Sequence, residues 1–75
     1  MSMEASAKAI FITNTFAQAH PEEHLKLWKR FEQEVPFSKR SGAYGVENMA
    51  YVRWLRKQNN PTVNEFLKDS IVHQS

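Results

Sequence analysis

Three prolines decide how this chain can be laid out. Pro21, Pro36 and Pro61 interrupt its 75 residues, and no regular helix runs through any of the three points. Proline lacks the backbone N–H, and it pushes the preceding residue away from helical angles. Two of the breaks are reinforced by their neighbours. Pro36-Phe37-Ser38-Lys39-Arg40-Ser41-Gly42 adds a glycine and two serines, and Asn59-Asn60 precedes Pro61. The chain therefore falls into four short pieces, with loops expected at 36–42 and 59–60 and a sharp break at His20-Pro21.

Each piece then reads as a helix. In the second, Pro21 occupies a first helical position, where its missing donor costs nothing. Glu22 and Glu23 follow in the first turn, where negative charge suits the helix dipole. Leu27, Trp28, Phe31 and Val35 share one face with Leu25 at its flank, so the spacing predicts a helix over 21–35. The last piece repeats this grammar. Asn60 caps, Pro61 opens, and Val63, Phe66, Leu67 and Ile71 form a stripe, giving a helix over 61–72. The third piece, 44–58, is apolar over more than half its circumference through Val46, Met49, Ala50, Tyr51, Val52, Trp54 and Leu55. Arg53, Arg56 and Lys57 make its narrow polar stripe. A helix of that kind belongs at the centre of a domain, touching two or more neighbours. The first piece is less clear. Ala5, Ala9, Ile12, Phe16 and Ala19 recur at helical spacing, whereas Ile10–Thr13 would also suit a strand. No second strand is visible to pair with it, so helix over 5–19 is the favoured reading. The expected fold is all-α: one domain of three to four short helices around a small core, with residues 1–4 and 73–75 frayed.

Composition excludes several classes of function. Hydrophobic residues make up 41% and aromatics 12%, too much apolar surface for a disordered chain of net charge +2. With no Cys, there is no disulfide framework, thiolate nucleophile or Cys-ligated zinc. No apolar run approaches the roughly 20 residues that cross a bilayer. Met1-Ser2-Met3-Glu4 lacks the basic and apolar regions of a secretory signal, so a soluble cytoplasmic protein is expected. His20 and His24 stand four apart, but His20 precedes the helix and spacing indicates no third ligand; no metal is expected. There is no phosphate-binding glycine loop and no nucleophile elbow. Most of the acids lie on polar faces. Glu47 stands out because it starts the apolar third helix, where a first-turn acid is itself favoured. No catalytic residue, cofactor or small-molecule substrate is expected.

Charge and aromaticity point to binding instead. From Lys26 to Lys57 there are eight Lys or Arg residues against Glu32, Glu34 and Glu47, while the two ends are neutral to acidic. Two readings follow. In the first, Tyr51, Arg53 and Trp54 on the broad third helix meet a protein partner or form a homodimer seam, because Trp, Tyr and Arg concentrate at interface hot spots. In the second, Lys39 and Arg40 in the loop join Arg53, Arg56 and Lys57 to track nucleic-acid phosphates. A helix-turn-helix version of the second is weakened by the last helix, whose Lys68 is followed at once by Asp69. The first reading leads: a small non-enzymatic regulator or adaptor acting through an aromatic and basic helical surface.

Overall fold

Five helices appear in the computed structural model, which describes residues 3–40, 42 and 45–68, with the backbone alone for Met3 and Glu4. They are α1 (Met3–Ala19), α2 (Pro21–Glu34), α3 (Phe37–Arg40), α4 (Val46–Lys57) and α5 (Pro61–Leu67), with no strand among the described residues. The protein is a small all-α bundle. The strand alternative for Ile10–Thr13 is replaced by the middle of a 17-residue helix. Thr13, buried there, donates its hydroxyl to the Ala9 carbonyl at 2.9 Å, which satisfies a β-branched polar residue without leaving the helix. Tyr44, expected to open the third long helix, lies outside the described residues, as do 69–72 of the last helix and the expected frayed end at 73–75. Met3 and Glu4, expected to fray, already belong to α1.

One residue separates α1 from α2. His20 donates its N–H to the Phe16 carbonyl and accepts from the N–H of His24, both at 2.8 Å. Pro21 then starts α2, and the two helices turn sharply without a loop. Val35 turns extended and ends α2 ahead of Pro36. The stretch read as a loop contains α3, a single turn opened by a bond from the Lys39 N–H to the Pro36 carbonyl.

α4 is the central element, in contact with each of the other four helices. Its N-terminus comes very close to α1. Gly45 has φ 83°, and a Cβ placed on it would lie 2.5 Å from the Cβ of Ser6. Only glycine fits that approach, which brings the Ser6 hydroxyl within 3.5 Å of the Met49 sulfur. The buried face of α1 is accordingly Ser6, Ala9, Ile12, Thr13 and Phe16, rotated slightly from the expected stripe, with Ala5 and Ala19 exposed.

Between α4 and α5 the turn is built by two asparagines with different tasks. Asn59 takes a left-handed φ of 52°, a conformation asparagine tolerates and most residues do not. Asn60 caps α5, its side-chain oxygen accepting from the N–H groups of Thr62 at 2.9 Å and Val63 at 3.2 Å. Its side-chain amide donates to Glu23 at 3.1 Å, tying the turn to α2.

The core is aromatic. Phe16, Phe31 and Tyr51 are fully buried. The Tyr51 ring lies 4.6 Å from Trp28 and 5.2 Å from Phe31, and Phe31 lies 5.7 Å from Trp54. Leu27, Val52, Leu55 and Val63 fill the space around them. No buried side-chain nitrogen or oxygen among the described residues lacks a hydrogen-bond partner.

A cationic groove between α1 and α4

The expected aromatic surface is not a surface. Tyr51 is 0% exposed and Trp54 7%, so of Tyr51, Arg53 and Trp54 only Arg53 faces solvent. Four helices pack around α4, and its wide apolar face is used up in holding them. Trp54 is closed off further by polar neighbours. Its indole N–H donates to Glu34 at 3.1 Å, and the Arg30 guanidinium lies 5.5 Å from its ring centroid. The same packing removes the basis for a dimer seam along this face.

Tyr51 has an internal polar partner. Its hydroxyl lies 3.0 Å from Nδ1 of His24. A neutral imidazole with its proton on Nε2 accepts the phenol O–H. Burial lowers the His24 pKa from its ordinary value and raises that of Tyr51, because each charged form would be poorly solvated. His20 and His24 both pack on Phe16, at ring distances of 5.5 and 6.1 Å, as parts of the aromatic core. Among the described residues, no three His, Cys, Asp or Glu side chains gather as a metal site.

The expected basic patch is also divided. Arg40 turns inward. Its Nε donates to the Val35 carbonyl at 3.0 Å, its Nη1 donates to Glu47 at 2.7 Å, and its side chain is only 13% exposed. It pins the end of α2 to the start of α4, and this is the role of the unusual Glu47. The patch at 38–42 thus loses Arg40 and keeps Lys39, which is exposed on α3. Arg30 is drawn toward Glu34 at 3.5 Å and donates to Gln58 at 3.1 Å.

Arg53, Arg56 and Lys57 remain exposed on α4. Arg53 and Arg56 stand three residues apart, on neighbouring positions of one helical face. Together with Lys8 of α1 they line a groove of ≈ 240 Å³. Its floor is apolar, made by Ala9, Ile12, Met49 and Val52. Among the described residues no carboxylate lines it, and Lys8, Arg53 and Arg56 form no ion pair. A wider depression between α1 and α5, ≈ 690 Å³, instead mixes His20 with Glu65 beside Phe66 and has no uniform charge.

Lys8 escaped the sequence reading, which located the basic field in residues 26–57. Its position beside Ala5, Ala9 and Ile12 put it at the rim of the α1 stripe. Nothing in the spacing indicated that this rim would meet the arginine stripe of α4. No family model, curated protein or solved structure matches this chain. Among the described residues no helix is long and apolar enough to cross a membrane.

Proposed function

We infer that this protein is a small non-enzymatic regulator or adaptor that binds an acidic stretch of a partner protein. The observation that carries this reading is the groove in which Lys8, Arg53 and Arg56, from two different helices, surround an apolar floor with no opposing carboxylate among the described residues. Among the described residues these three cations form no ion pair, and Arg53 has only a long 3.5 Å bond from Nε to the Met49 carbonyl, so little is given up in turning them toward a ligand. Arg40 and Arg30, by contrast, are held by Glu47 and Glu34.

An apolar floor also separates the two kinds of polyanion. Phosphate backbones are met by charged and polar groups and make little use of aliphatic surface. Protein segments bring apolar side chains along with carboxylates. Because no aromatic ring among the described residues lines the groove and Tyr51 and Trp54 lie in the core, the attraction is chiefly between exposed charges and weakens with salt.

The test is fluorescence anisotropy of labelled polyglutamate and of a labelled DNA duplex, each titrated with the full chain at low and physiological salt. Polyglutamate is expected to bind at low salt and to be lost in the double variant Arg53→Glu/Arg56→Glu. A duplex that binds tenfold more tightly than polyglutamate, and is lost in the same variant, would overturn the reading in favour of nucleic acid.

A further inference from the structure

The groove between α1 and α4 has a size and a shape as well as a charge. A closed cavity of ~150 Å³ lined by aliphatic side chains is enough to hold a benzene ring. The groove, at ≈ 240 Å³, holds one large apolar side chain and falls below the ~300 Å³ at which small-molecule pockets begin. Its walls are helices whose backbone donors and acceptors are engaged within themselves, so they present no sheet edge to which an extended peptide can add. A guest helix satisfies its own backbone and offers side chains alone, which suits such walls.

The cations are spaced to match. Arg53 and Arg56 lie about one helical turn apart on α4, and Lys8 faces them across the groove from α1. Carboxylates at i and i+3 or i+4 on a guest helix have the same pitch, ~5–6 Å. We propose that the groove seats one apolar side chain of an acidic amphipathic helix, with the carboxylates beside that side chain meeting Lys8, Arg53 and Arg56. This rests on the reading of the face as a contact for acidic protein, and it adds the anchor and the secondary structure of the guest.

Two labelled peptides of identical composition test it. Both contain only Leu, Ala and Glu. One places Leu at i, i+3, i+4 and i+7, and the other is scrambled to destroy that stripe. Polyglutamate serves as the charge-only probe. The patterned peptide is expected to bind the full chain at least tenfold more tightly than the scrambled one. Ala5 is exposed at the edge of the groove, so Ala5→Phe fills the space without entering the core. That variant should lose the preference for the patterned peptide, keep the wild-type affinity for polyglutamate and keep the wild-type circular dichroism and Tm. Equal binding of the two peptides would overturn the anchored helix while leaving the acidic-partner reading in place. Failure of every anionic chain to bind at low salt would overturn both. Self-association of the protein alone, abolished by Ala5→Phe, would give the groove to a second copy of this chain and overturn the proposal.

Discussion

Tyr51 and His24 connect the core to protons. The His24 imidazole is half-buried, takes the Tyr51 hydroxyl at 3.0 Å and stacks edge-on to its ring. Burial lowers its folded pKa below the ordinary 6.5. The unfolded chain therefore binds a proton at this position at a higher pH than the folded one. Its contribution to stability is complete above pH ~6.5 and is lost as pH falls through the folded value. Acidification from pH 7.5 to 5 should lower the Tm less in His24→Gln, which keeps a hydrogen-bonding side chain but does not titrate, than in the unaltered chain. Equal losses in the two proteins would show that His24 does not sense pH. Arg40 teaches a complementary lesson at the same scale. Lys39 and Arg40 are adjacent and both basic, yet one faces solvent and the other is an internal pin. The guanidinium can donate in two directions at once, to the Val35 carbonyl and to Glu47, and a lysine there could not reproduce that fork.

Among the elements, the α4–α5 connection shows how much of a turn can be read from residue chemistry. Proline at a first helical position with an asparagine before it signals a capped start, and Asn60 caps α5 through two N–H groups. Replacing Asn60 with Ala should destabilise the protein by about 1 kcal/mol, which in a domain of this size lowers the Tm by roughly 4–8 °C. Asn60→Ser keeps a capping oxygen and loses only the bond to Glu23, so thermal melting should place it between Ala and the unaltered chain. A serine variant as unstable as the alanine one would mean that the tie to α2, not the cap, holds the turn. α3 shows where such reading stops. Four residues are too few for a periodic pattern, and what stabilises the turn is a bond to the Pro36 carbonyl and the distant Glu47 that holds Arg40. No local signal carries the second of these.

For the whole molecule, the thinness of the core sets what mutagenesis can reveal. At about 0.05–0.15 kcal/mol per residue, a chain of this length has roughly 4–11 kcal/mol of stability in total. Truncating a buried aromatic costs about 3–5 kcal/mol. Trp54→Ala is thus expected to lower the urea midpoint sharply, whereas Arg53→Glu on the outer face should leave the unfolding free energy within ~0.5 kcal/mol of the original. A Trp54→Ala protein that unfolds at the original urea concentration would show that the indole does not belong to the core. The contrast decides how binding should be probed: loss of binding in Trp54→Ala would report unfolding, and only the rim residues of the groove report on the contact itself.

The helices were legible because each carries its own boundary chemistry, with proline and asparagine at the starts and apolar residues recurring at a period near 3.6. The central place of α4 was legible too, since a helix apolar over most of its circumference has to be surrounded. The direction in which that apolar face would be used was not. Rings that cover a partner and rings that cover a core have the same spacing, and only the packing of α1, α2, α3 and α5 against α4 put Tyr51 and Trp54 inside. The groove was decided in the same way. The sequence contained the stripe of Arg53, Arg56 and Lys57 on one helix and Lys8 on another, but the meeting of Lys8 with Arg53 and Arg56 depends on how α1 packs on α4, which approach closely at Ser6 and Gly45. Periodicity is a property of one segment, whereas a site made by two helices is a property of how they cross.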